Sequence, residues 1–257
     1  MEISTNNDYV VSGNLFSTTQ KNTDLNTYKD AIHSNLFIQL VADNEYENRF
    51  NNPEIWMKYY TESLGIIFWN FIAQSNGTIK FQKGKYDFSI QEILEEFLLK
   101  NLEEIQKKSI IESIENFDLL EKDNNASQLY KKETIKETKI KKTKPQKTET
   151  IINLQITNID ENNKIYVFNI IFKTDQKSSG KIFEQRFLTK DLIGEIKTNS
   201  YEAEIIESLY TNIRQAIIQK LGEENIQNNI LLVSEEGESP TGPTLSAART
   251  FIREKDL

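Results

Sequence analysis

A single histidine, no cysteine and 39 carboxylates bound the chemistry open to this chain. A relay of hydroxyl, imidazole and carboxylate would have to be built on His33 alone. Asp30 precedes it at an ordinary helical surface spacing, which reads as a structural or surface role. Without cysteine, thiolate nucleophiles, disulfides and Cys-type zinc or iron–sulfur centres are excluded. A zinc site would have to lean on carboxylates, so neither a metal nor a cofactor is expected.

Carboxylate-pair hydrolysis needs two acids facing one another across a cleft. The adjacent acids Glu95-Glu96, Glu103-Glu104 and Glu223-Glu224 read more simply as solvated helix faces. No calcium loop of alternating Asp ending in Gly is present. Gly180-Lys181 fails as a phosphate loop, because Asp175 stands where a glycine is needed and Ile182 where a Ser or Thr is needed. With nine glycines in the chain there is no dinucleotide fingerprint. The Ser-x-x-Lys match at Ser178 to Lys181 lies in a polar loop rather than at a helix start.

The charged feature with a partner implication is basic. Residues 131–149 hold eight Lys and three Glu, a local +5 in a chain of net charge -8. Lys136, Lys139, Lys141, Lys142, Lys144 and Lys147 are the candidates for contact with an anionic surface. The segment lacks the arginines and interleaved aromatics of a stacking nucleic-acid site, and the acidic balance disfavours nucleic acid. It reads as a solvated linker or hairpin arm, although Thr134, Lys136, Thr138 and Ile140 also alternate as an edge strand would.

The elements that must carry these groups follow from periodicity and caps. Residues 1–22 are polar around Val10-Val11 and Leu15-Phe16, and read as a mobile arm with at most one docked segment. Asp24 caps a helix to about Glu45, with Tyr28, Ile32, Leu36 and Gln39 on its stripe. Asn52-Pro53-Glu54 starts a second helix, which the apolar run Ile66 to Ile72 extends to about Gln74 as the central core helix. Trp56, Phe68, Trp69 and Phe71 are the expected centre of the core. Thr78 to Gln82 reads as a short strand. Ser89 and Glu92 match a capping box, opening a third helix over Ile90 to Ile105, which Ile110, Ile114 and Phe117 either extend or follow as a second piece.

After the lysine-rich segment the pattern changes to a period of two. Thr150 to Ile156, Ile165 to Phe172 and Ile182 to Leu188 read as three strands of an antiparallel meander. Asn199-Ser200-Tyr201-Glu202 opens a last helix that closes at Gly222, with Ile206, Leu209, Ile213, Ile217 and Leu221 as its stripe. Residues 223–257 read as an acidic flexible tail, ending in a short helix whose Leu245, Phe251 and Ile252 could dock a partner.

The stretch Tyr28-Lys29-Asp30-Ala31-Ile32, Asn35-Leu36 and Gln39 to Asp43, followed by Trp56 to Tyr60, Leu64-Gly65 and Trp69, resembles a group of uncharacterised bacterial proteins. Ala216 to Gly222 is similar to the end of their common region. The resemblance spans residues 24–226. It implies a shared fold and no catalytic activity, and it leaves the lysine-rich insert and the acidic tail outside the pattern.

These observations predict one α+β domain over residues 23–222, a helical N-terminal half packed with a β-meander and closed by a C-terminal helix. The expected function is a non-enzymatic binding or structural protein with a protein partner, a component or accessory of a bacterial assembly. The alternatives are a leaderless toxin or membrane-active protein of virulence type, and a carboxylate-dependent hydrolase. The first residues lack a basic and apolar leader pattern, and no apolar run reaches the roughly 20 residues of a membrane span, so a soluble, cytoplasmic chain is expected.

Overall fold

The computed structural model describes residues 3–4, 7–19, 24–82, 84, 86–140 and 147–233. In chain order the elements are β1 (Asp8–Val11), β2 (Asn14–Thr18), α1 (Leu25–Tyr46), α2 (Pro53–Ile66), β3 (Trp69–Ile79), β4 (Asp87–Phe88), α3 (Ile90–Ile93), α4 (Glu104–Leu119) and α5 (Asn125–Thr134). There follow β5 (Ile135–Ile140), β6 (Lys147–Ile159), β7 (Ile165–Thr174), β8 (Phe187–Leu188), β9 (Ile196–Ile205), α6 (Glu207–Asn229) and β10 (Ile230–Val233).

The fold is α+β, built on an eight-stranded mixed sheet in the order β10-β1-β2-β6-β7-β9-β3, with β5 also paired to β6. The long strand β6 organises it. One edge of β6 pairs with β7 throughout, while the other is shared: β5 lies antiparallel along residues 147–152 and β2 parallel along 155–159. Side chains alternate between two cores. Leu154, Ile156, Phe168 and Ile170 face α3, α4 and α5, whereas Val11, Phe16, Val167 and Ala203 face α1, α2 and α6. Arg214 of α6 grips Asp30 of α1 through Nε at 2.8 Å and Nη2 at 2.6 Å, locking two helices of the second layer together.

The predicted helix starts form as their chemistry requires. Asp24 accepts the Asn26 and Thr27 amides, Asn52 accepts the Ile55 amide, and the reciprocal capping box of Ser89 and Glu92 is complete. Of the two readings of the helix opened at Ser89, the second piece is the one that forms. The first piece widens into a π-helical turn at Leu94–Leu98 and breaks, and the chain restarts as α4 under a Glu103–Gln106 box.

Several expectations are overturned. Residues 8–18 are not an arm but a hairpin inside the sheet, with Tyr9, Val10, Val11, Leu15 and Phe16 fully buried. Its two-residue turn, Ser12 at φ 43° and Gly13 at φ 85°, has the twist that suits paired strands. The apolar run from Ile66 is not helix. Phe68 turns the chain at φ 71°, and Trp69 enters β3. Runs rich in Ile, Phe and Trp satisfy strand and buried helix equally, so periodicity could not decide between them. Of the expected core centre, Trp56 and Trp69 are buried, while Phe68 and Phe71 are half-buried.

The third strand of the meander is β9, not 182–188, of which only Phe187 and Leu188 form a strand, paired with β4. Residues 199–202, expected to open a helix, lie within β9, and the helix begins at Glu207. Of the two readings of the lysine-rich segment, the linker falls and the hairpin with an edge strand holds, since β5 lies antiparallel to β6. Asn124 caps α5, which buries Ala126, Leu129 and Tyr130, and β5 follows as an edge strand. Finally, residues 223–233 are not tail. Gly222, at φ 70° and ψ 157°, ends the first helical stretch of α6 as its stripe predicts, a second stretch runs on to Asn229, and β10 then pairs with β1. Among the described residues no helix is long and apolar enough to cross a membrane.

Candidate functional site

The residues singled out in the sequence do not converge. His33 is largely buried on α1, its Nδ1 without a hydrogen-bond partner, and burial, seconded by Lys29, lowers its pKa to about 4. Its nearest acid in sequence, Asp30, is turned to Arg214, so no imidazole–carboxylate pair forms there. Lys136 bonds Asn51 Oδ1 at 3.0 Å and Lys139 stands exposed on β5, giving that edge a basic character. Lys141, Lys142 and Lys144 lie outside the described residues, as do Leu245, Phe251 and Ile252. Lys147 pairs with Ile140 in the β5–β6 ladder.

Two polar constellations that sequence reasoning missed are assembled by the sheet. The first is enclosed. Between the sheet and α1, Asn35 donates to Tyr60 Oη (2.5 Å) and Gln39 donates to Asn35 Oδ1 (2.5 Å). Asn14 spans Asn35 and Thr157, and Arg49 donates to Gln39 Oε1 and the Ser12 carbonyl at 2.8 Å each. Arg49 also lies 4.8 Å over the Trp56 ring, and Asn153 donates to the Arg49 carbonyl. The Arg49 guanidinium thus seals the place where β2 and β5 meet along β6. The network is buried against solvent, so its role is to fix register rather than to meet a ligand.

The second constellation is open. A cleft of about 440 Å³ lies on the α4 face of the sheet, floored by Lys164 just before β7, Tyr166 and Phe168 of β7, Ser200 and Glu202 of β9, and Ala73 and Ser75 of β3. The start of α4 and the Asp160–Asn162 turn wall it. A one-residue bulge at Ile72 sets this face. Phe71 pairs with Ala203 on the α1 side, but beyond the bulge Ala73 pairs with Glu202 and Ser75 with Ser200 on the cleft side. Small residues therefore line the rim, and the cleft stays open above β3. Gly77 continues that face, where a Cβ would lie 2.5 Å from Thr198 Oγ1.

Asp160 anchors the cleft. Its Oδ1 accepts the amides of Asn162 (2.8 Å) and Lys164 (2.9 Å), and its Oδ2 accepts Gln106 Nε2 (3.3 Å) and Tyr166 Oη (3.4 Å). Lys164 Nζ meets Glu202 Oε1 at 2.8 Å, and that hydrogen bond holds the ammonium pKa above its usual value. Burial raises the Tyr166 phenol, the Gln106 hydrogen bond opposes this, and the charges of Asp160 and Glu202 add to the rise. The lining carries Glu103, Asp160, Glu161 and Glu202 against Lys164 alone, a formal charge of -3.

The acids of the cleft are mostly engaged. Asp160 is saturated by four donors, Glu202 is engaged by Lys164, and Glu103 caps α4. Only Glu161 stands exposed and unengaged among these four acids, so no facing pair is poised to pass protons. Among the described residues no group of His, Asp and Glu is placed to hold a metal ion.

Beside the cleft runs the outer edge of β3. The strand is eleven residues long and, among the described residues, ends the sheet and is paired only to β9. From Trp69 to Ile79 it carries no charged residue and no proline, and residues 72–78 are exposed. Sheet edges of this kind are normally shielded by lysine, proline or brevity, as β5 is by Lys136 and Lys139. The sequence signal that would have found this site is the uncharged stretch 69–79 together with the alternation of Ser200 and Glu202. Compared with known proteins, the chain matches no family model and no curated protein.

Proposed function

We propose that the protein is a non-enzymatic binding protein that takes an extended segment of a protein partner onto the open edge of β3. The observation that carries this reading is an eleven-residue, charge-free strand with one edge unpaired among the described residues. Strand addition supplies main-chain hydrogen bonds along such an edge, with alternate side chains read by whatever lies on either face. Ile66 at the end of α2 and Ile72 within β3, 76% and 47% exposed, add apolar contact area. A role as a component or accessory of a larger assembly follows from the same surface, since continuing a sheet is a way to join chains.

The test is site-specific photo-crosslinking in native extract. A crosslinker at Asn76 is expected to trap a stoichiometric partner, and Gln74→Lys with Ser75→Lys to abolish capture by charging the edge. A crosslinker at Glu62, exposed on α2, is the control. Equal capture from both positions, or none from Asn76, would refute the reading.

A further inference from the structure

The cleft lies on the same side of the sheet as Ala73 and Ser75, so it is the first surface met by side chains of a strand added to β3. Residues paired across neighbouring strands share a face. A partner residue opposite Ala73 or Ser75 would project over two small side chains toward Glu202, with Glu161 and Glu103 beyond. Lys164 engages Oε1 of Glu202, and its other oxygen is open to a donor. The helix N-terminus at the cleft is already satisfied by the Glu103–Gln106 capping box, so it makes no competing demand for an anion. A formal charge of -3 around an open cavity floored by Phe168 suits a cation on an aliphatic stem.

Resting on the docking reading above, we propose that the partner strand carries an arginine or lysine on its cleft-facing side and that this cation is read by Glu202 and Glu161. Arginine is the better fit, because its planar fork can bond a carboxylate in two places and its stem can lie along Ala73 and Ser75. The small rim of β3 and the acidic cleft then work together. The edge gives affinity with little regard to sequence, and the cleft selects the residue at one position.

The experiment uses the full chain and three probes: an acetylated, amidated hexapeptide of alternating threonine and valine with one central arginine, the same peptide with glutamine in its place, and free agmatine. Binding is read by calorimetry and by amide hydrogen exchange across residues 70–78. The arginine peptide is expected to bind at least tenfold tighter than the glutamine peptide, with the difference shrinking to less than about threefold in Glu202→Gln and in Glu161→Gln. Glu161 is exposed, so its variant reports even if Glu202→Gln is misfolded. If both peptides protect the β3 amides with equal affinity, strand docking stands and the cation inference falls. If neither protects them, both fall. Agmatine binding as tightly as the arginine peptide would overturn the strand as the source of the cation. Concentration-dependent self-association that protects β3 without any peptide would show that a second copy occupies the edge, and would overturn the proposal too.

Discussion

At the scale of the residue, chemistry follows burial more than spacing. His33 is the chain's sole imidazole, yet enclosure in α1 makes it a stability group rather than a catalyst. Its folded pKa of about 4 lies below the ordinary 6.5, so the unfolded chain takes up the proton first as pH falls. The stability His33 gives is full above pH 6.5 and is lost as pH drops toward 4. Asp8 and Asp118 act with the opposite sign. Burial raises both to about 6, so their contribution is full below the ordinary 3.8 and fades as pH rises through 6. Comparing His33→Gln with the parent isolates the imidazole from these carboxyls. Between pH 7 and pH 5 the parent is expected to lose about 2 kcal/mol more than the variant, measured by urea unfolding at both pH values. Identical slopes would refute the enclosure of the ring.

At the scale of the element, a single glycine shapes the C-terminal part of the sheet. Gly222 holds φ 70° and ψ 157°, a region nearly closed to other residues, and nothing lies within 4 Å of where its Cβ would be. Gly222→Ala is therefore expected to cost about 1–3 kcal/mol through backbone strain alone, read as a lowered urea midpoint. An unchanged midpoint would mean that the kink is dispensable. The glycine was legible in the sequence, but not all of its meaning was. A glycine after a helical stripe ordinarily ends the helix, as Gly222 ends the first stretch here, but only the pairing of β10 with β1 shows why the chain turns and continues to a further strand.

The same division runs through the other elements. Asp24, Asn52-Pro53 and the Ser89–Glu92 box were legible because a cap is a local bargain between a side chain and nearby amides. β6 and β7 were legible from alternation. The hairpin 8–18 was not, since its few apolar residues become core only when β6, more than a hundred positions away, is laid beside them. The cleft was hidden for the same reason, as Ala73, Lys164 and Glu202 meet only through the register of β3, β7 and β9.

At the scale of the whole molecule, the sheet ties distant parts of the chain together. β1 sits between β2 and β10, and β2 rests on the middle of the chain at β6. A chain ending at residue 222 is expected to lose at least about 3 kcal/mol relative to one ending at 233, because Ile230 leaves the core and β1 loses its neighbour. Equal unfolding midpoints for the two lengths would show that the last strand contributes nothing.

The parallel seat of β2 against β6 has a consequence for synthesis. When the first hairpin leaves the ribosome, the strand it must lie beside has not been translated, and the strand that covers its far side is later still. Tyr9, Val10, Val11, Leu15 and Phe16 must wait for their neighbours, so the nascent chain carries a sticky hairpin until residues 155–159, and then 230–233, have been made.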